Sequence, residues 1–170
     1  MTGTASILGT LRSVDGEGVV RIEDLVDAPV DEVWAALTEP DRLARWFGTV
    51  EGDLSAGSDF RVNITLSGPR TGHVDACEPA RHLAWTLRDP DRRPGQPERM
   101  ALDVRLTADG AETSVVWEER GMPVELLPAY GTGIQIHVEH LVDYLGGREL
   151  RDGEARWDEL FPVYEAQEIR

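Results

Sequence analysis

The chain contains no lysine. All of its 17 Lys+Arg positions are arginine, set against 32 Asp+Glu, for a formal net charge of −15 over 170 residues. That absence removes Schiff-base chemistry, the P-loop lysine and Ser–Lys nucleophile pairs. The shortage of positive charge argues against nucleic acid and anionic membrane as partners, because such binding rests on clustered cations and released counterions. A lone cysteine, Cys77, excludes an internal disulfide and fits a reducing, cytoplasmic setting. No apolar run approaches the ~20 residues of a membrane span. The opening MTGTASILGTLRSVDG lacks the basic-then-apolar layout of a signal peptide. Arginine-only cations with abundant Ala and Gly point to a GC-rich bacterial source.

What is present reads as a single domain. At this length roughly 68–70% of the unfolded surface can be buried, and the 41% hydrophobic content suits that. GVVRIEDLVDA (18–28) reads as a first strand. Val30, Val33, Trp34 and Leu37 then recur at helical spacing, with Pro29 suited to the first helical position and Asp31 and Glu32 to the positive end of the dipole. TEP breaks that helix. Thr38 is expected to cap a second short helix whose apolar side is Leu43, Trp46 and Phe47. From Phe60 to Arg120 the period becomes two: DFRVNITL, GHVDACEP, RHLAWTLRD, RMALDVRLT and TSVVWEER alternate between turn-prone segments. The helical period returns over Pro128–Leu145, with Ile134, Val138, Leu141 and Leu145 on one stripe. An appendix, EARWDELFPVYEAQ, follows.

This order predicts an α+β fold: a curved antiparallel sheet wrapped around one long helix, with two short helices after the first strand. The expected organisation is an N-terminal segment 1–17, a domain 18–146, and an appendix 147–170 packed on the domain or in an interface. One helix about 10–12 Å across cannot cover such a sheet. The remaining concavity is filled by large side chains or by a ligand.

Five segments, in order, resemble a known family: APVDEVWAALTEPDRLARWFG, GSDFRV, GHVDACEPARHLAWT, ETSVVWEERGMP and GIQIHVEHLVDYL. Together they resemble the activator of heat-shock-protein-90 ATPase homologues, within the START-like, helix-grip SRPBCC superfamily, over roughly residues 18–146. The resemblance implies the helix-grip fold and an internal cavity able to hold apolar molecules. It implies no reaction, and fold is not function. One departure stands out: where the family has Gly-Trp entering the last helix, this chain has Gly133-Ile134.

If the alternation holds, Trp46, Phe47, Phe60, Ile64, Trp85, Met100, Trp117 and Met122 face the concavity, either as plain core or as cavity wall. Ile134, His137 and Leu141 share a helical face aimed at it. His137, Tyr130 and Glu119 are the candidate polar anchors. Glu119 falls on the Val115/Trp117 side of its strand, where apolar walls would raise its pKa. The plain alternative is a solvated strand-end charge paired with Arg120. No catalytic set, cofactor loop or metal motif is expected: His137 and His140 are only three apart, His73 and His82 sit near opposite ends of a hairpin, and no H-E-x-x-H is present. GMPVELLP (121–128) is the expected gate, and DPDRRPGQPE (89–98) reads as a solvent loop or a lip over the mouth.

The function expected is non-enzymatic binding of a small hydrophobic or amphipathic molecule between sheet and C-terminal helix. One alternative is a cyclase-, dehydratase- or hydrolase-type enzyme using the same cavity. Another is a protein-interaction module, a chaperone or stress-response regulator, with the appendix aromatics Trp157–Tyr164 as a partner or homodimer surface.

Overall fold

Asp15 and Gly16 both take positive φ, 51° and 82°, the backbone that a two-residue hairpin turn demands. They join β1 (Thr10–Val14) to β2 (Glu17–Val26), so the sheet begins one strand earlier than the sequence pattern suggests. The computed structural model describes residues 8–170; residues 1–7, the start of the stretch read as lacking a signal-peptide layout, lie outside the described residues.

After β2 come α1 (Val30–Thr38) and α2 (Pro40–Trp46). Pro40 pushes the preceding residue out of helical space. Glu39 accordingly sits at φ −90°, ψ 120° and ends one helix while beginning the other. Two expectations fail here. Pro29 is extended and precedes α1 instead of starting it. The Thr38 hydroxyl, expected to cap α2, donates back to the Trp34 carbonyl at 2.8 Å. The pair is tied together by Trp46, whose indole N–H donates to the Ala36 carbonyl at 3.0 Å.

The rest of the sheet is β3 (Gly48–Gly52), β4 (Asp59–Ile64), β5 (Gly68–Glu78), β6 (His82–Arg88), β7 (Met100–Asp109) and β8 (Glu112–Met122). All neighbours are antiparallel, in the order β1-β2-β8-β7-β6-β5-β4-β3. Strand alternation sorts the faces: Phe60, Val62 and Ile64 point inward and are buried, while Asp59, Arg61 and Asn63 are exposed. The long helix α3 (Leu127–Leu145) lies in the concave face, so the α+β, helix-grip expectation holds.

Charged residues on α3 are buried as well: Glu139 is 3% exposed and Asp143 4%. The cause is α4 (Gly153–Glu165), which packs on the outer side of α3. Arg151 Nη2 meets Asp143 at 2.7 Å and Arg151 Nη1 meets Glu139 at 3.1 Å, while Arg156 Nε reaches Glu139 at 2.8 Å. The far end of α4 is anchored by Tyr164, fully buried, whose hydroxyl donates to Gln135 and accepts the Gly9 N–H. Beyond it, the Ser13 N–H donates to the Arg170 carbonyl and the Arg170 N–H to that of Leu11. No helix among the described residues is long and apolar enough to cross a membrane.

Burial pushes the Asp143 carboxyl upward, but hydrogen bonds and charge from Arg151, with the charge of Arg148, outweigh it and hold the group below its ordinary value. Its stabilisation is therefore present at neutral pH and lost as pH falls through that lowered value. Arg151→Ala should cost roughly 2–3 kcal/mol in denaturant unfolding, the low side of a broken buried pair because the arginine is partly exposed. The deficit against wild type should shrink as the solution is acidified.

Candidate ligand-binding cavity

A row of rings crosses the inner face of the sheet. Trp117 packs edge-on against Trp46 at 6.3 Å, Trp46 lies 5.3 Å from Phe47, Phe47 6.3 Å from Trp85, and Trp85 4.9 Å from Phe60. Phe60 lies against Gly72, where an added Cβ would fall 2.2 Å from the ring, so that strand position requires glycine. These rings fill much of the hollow that the sheet opens beneath α3.

A cavity of about 550 Å³ remains beside the row, against its middle ring Phe47. Its walls come from Phe47, from Ile64 and Leu66 at the end of β4, from Leu87, Met100 and Leu102 on β6 and β7, and from Tyr130, Ile134, Ile136 and His137 on α3. Of the residues that the sequence singles out, Phe47, Ile64, Met100, Glu119, Tyr130, Ile134 and His137 line it. Trp46, Phe60, Trp85, Trp117, Met122 and Leu141 do not; all are at most 4% exposed and form the solid core. Strand parity places a side chain on the inner face, but says nothing of whether it meets another side chain there or open space.

The mouth differs from the expected gate. Residues 121–128 finish β8 and form a short 3-10 turn at Val124–Leu126, and none lines the cavity. The lip is the 89–99 segment, through Asp89, Gln96, Pro97 and Arg99. That segment is stitched by its own bonds: the Arg93 N–H donates to Gln96 Oε1 at 2.7 Å and the Asp91 N–H to Asp89 Oδ1 at 2.9 Å. Opposite it, Gly153, Glu154 and Trp157 of α4 close the other side. Sequence reasoning missed this wall, because Trp157 belongs to a helix whose pattern is unrelated to that of α3.

Besides the charged and polar side chains of the mouth, Glu119, His137 and Tyr130 bring polar groups to the chamber wall. Glu119 accepts the Trp117 indole N–H at 3.0 Å. Its remaining open surface looks onto the cavity, and burial, partly offset by that hydrogen bond, pushes its carboxyl up to about 7. Arg120 is not its partner; that arginine bonds Glu118 on the opposite face, together with Arg12 and Arg21. His137 is 8% exposed, its ring 5.0 Å from that of Phe47, and its Nε2 is buried without a hydrogen-bond partner. Burial first, then the neighbouring His140, holds it down to about 3, so it is neutral at physiological pH. Burial raises the Tyr130 phenol, although Arg70 at the mouth opposes this.

The other histidines go elsewhere. His73 and His82 pair with Asp59 and Asp103 on the outer face, each at 2.7 Å, and His140 Nε2 meets the Arg151 carbonyl at 2.9 Å. Among the described residues no three His, Cys, Asp or Glu side chains gather to hold a metal ion. A wider furrow of about 760 Å³ runs over the outer face between β3 and β7. It is lined mainly by polar side chains such as Asp59, Arg61, His73 and Arg88, all solvent-exposed.

The family profile described as Activator of Hsp90 ATPase homolog 1-like protein matches residues 27–146. The chain belongs to this family. The strands β1 and β2 and all of α4 lie outside the matched stretch. CalU16 from Micromonospora echinospora shares 27% identity, and its crystal structure superposes with a TM-score of 0.74 over 93% of this chain and 94% of that one. DynU16, from the dynemicin biosynthetic locus, is also 27% identical, with a TM-score of 0.69 over 79% of this chain and 50% of that one. MLL2253 from Mesorhizobium loti, 24% identical with a TM-score of 0.67 over 78% of this chain and 99% of that one, shares the fold. No curated protein matches the chain in sequence.

Because the folded Glu119 carboxyl titrates near 7 instead of its ordinary 4.5, its contribution to stability is complete below the ordinary value and lost as pH rises through 7. Glu119→Gln should remove that loss. Relative to wild type, the variant should gain on the order of 3 kcal/mol in unfolding free energy between about pH 5 and 8. An unchanged difference across that range would show that Glu119 is solvated.

Proposed function

We propose that this family member binds a small, mostly apolar molecule carrying hydrogen-bonding substituents, in the cavity between the sheet, α3 and α4. The observation that carries the reading is the pairing of apolar walls with unmatched polar groups. A buried imidazole nitrogen without a partner costs about 1–3 kcal/mol unless something bonds it. Glu119, facing the same chamber, uses only part of its hydrogen-bonding capacity. A ligand that bonds both recovers that cost and gains roughly 25 cal/mol for each Å² of apolar surface removed from water. The volume lies within the usual range for small-molecule sites. The family's SRPBCC fold and the place of DynU16 in a biosynthetic locus support a metabolite as the ligand. Trp157 lines the mouth of the cavity and stacks on Phe161 while keeping about a third of its surface open to solvent (36%), which gives the appendix a part in the cavity wall.

A second reading, proton-transfer catalysis of the cyclase, dehydratase or hydrolase kind, is favoured by one observation. A carboxyl titrating near neutrality inside an apolar chamber is poised to act as acid or base at physiological pH. Glu119→Gln should then abolish turnover of a bound molecule while leaving its binding nearly intact.

Native mass spectrometry of protein purified from its own host should show a bound small molecule. Ile134→Trp, which pushes an indole into the cavity, should lose it while keeping the fold. A ligand at a hundred times its Kd should raise unfolding stability by about 2.7 kcal/mol. Wild-type protein that carries no adduct, and whose thermal midpoint is unmoved by a panel of amphipathic metabolites, would overturn the binding reading.

A further inference from the structure

Two glycines stand close together in α3, and they differ. At Gly131 an added Cβ would lie 2.9 Å from the Tyr164 ring and 3.0 Å from Leu11. Packing therefore demands glycine there. At Gly133 an added Cβ would meet a single neighbour, Trp157 Cζ3, at an ordinary 3.7 Å. Gly133 is not at positive φ, and no backbone crowds it. Glycine is the poorest helix former after proline, so this position weakens α3 for no reason found in the packing. It does, however, line the cavity beside Trp157.

We propose that Gly133 opens a notch in the α3 wall next to the Trp157 indole, and that this notch seats an aromatic ring of the ligand. The inference rests on the cavity being a binding site, and it narrows the class of molecule. The rings of Phe47, Tyr130, His137 and Trp157 all line the chamber, and ring–ring contacts contribute beyond the area they bury. An acyl chain would leave Glu119 and the His137 nitrogen facing hydrocarbon, which costs their unmade hydrogen bonds. A ring with hydroxyl or carbonyl substituents serves both needs. Trp157 does not collapse into the notch, because Phe161 stacks on it at 5.6 Å and 14°. Arg151 and Arg156 in turn pin α4 to α3. Specificity at this end of the cavity therefore comes from a helix outside the family-matched stretch.

Calorimetric titration of the full chain with 2-naphthol and with decanoate tests this. Wild type should bind 2-naphthol more tightly than decanoate. Gly133→Leu fills the notch and should weaken 2-naphthol by about tenfold or more. Gly133→Ala should weaken it less, while raising the thermal midpoint by roughly 2–4 °C through better helix propensity. A lowered midpoint in Gly133→Ala would give the glycine a packing role and overturn the proposal. Unchanged 2-naphthol affinity in both variants would overturn the notch and leave the cavity a binding site, as would binding of decanoate alone. Failure of wild type to bind either probe would count against the binding site itself, and the notch would fall with it.

Discussion

A sheet of eight strands, bent around a single helix, encloses more inner surface than that helix can cover. Close packing requires the difference to be filled, since unfilled apolar space forfeits dispersion contacts along its whole lining. The chain answers in two ways. From β8 to β4 a file of indole and phenyl rings takes up the slack, locked by Trp46 bonding to Ala36 and by Phe60 lying against Gly72. Beside Phe47, on the side away from the other rings, the filling is incomplete, and α4 and the 89–99 lip border what is left. Core and cavity are thus two responses to one geometric mismatch, and Phe47 belongs to both.

The helix α3 carries buried polar groups of two kinds. On its outer side Glu139 and Asp143 are matched by Arg151 and Arg156, and the match fastens α4 in place. On its inner side His137 has no such partner at Nε2. The matched set fixes the architecture; the unmatched His137 nitrogen is the one that lines the cavity, whereas the equally unpartnered Gln135 Nε2 does not. Both sit on one rigid element, so the roof over the cavity and the group within it are fixed relative to each other.

The fold was largely legible. Period-two alternation, the return of helical spacing after Pro128 and the breaks at Pro40 and Gly146 located the main elements but missed the short strands β1 and β3, although the Asp15-Gly16 pair was a hairpin signal available to find β1. The cavity was half legible. Parity and helical phase brought Phe47, Ile64, Met100, Glu119 and His137 to the correct face, yet could not separate them from Trp85 or Trp117. Which inward side chain meets empty space depends on what packs against each ring, and that is a property of the assembled volume. Gly133 and Trp157 were beyond reach for a different reason. A missing side chain gives no signal until the packing shows that one would fit, and the contact joins two helices with independent patterns.

The strip of backbone at Ile169 and Arg170, bonded to β1, has a bearing on self-association. It occupies part of the outer margin of β1 and denies that edge to another molecule. Among the described residues, β3 ends the sheet at the opposite margin. Any joining of sheets between copies would therefore fall to the β3 margin, the side on which the start of α4 reaches Leu66 just beyond β4.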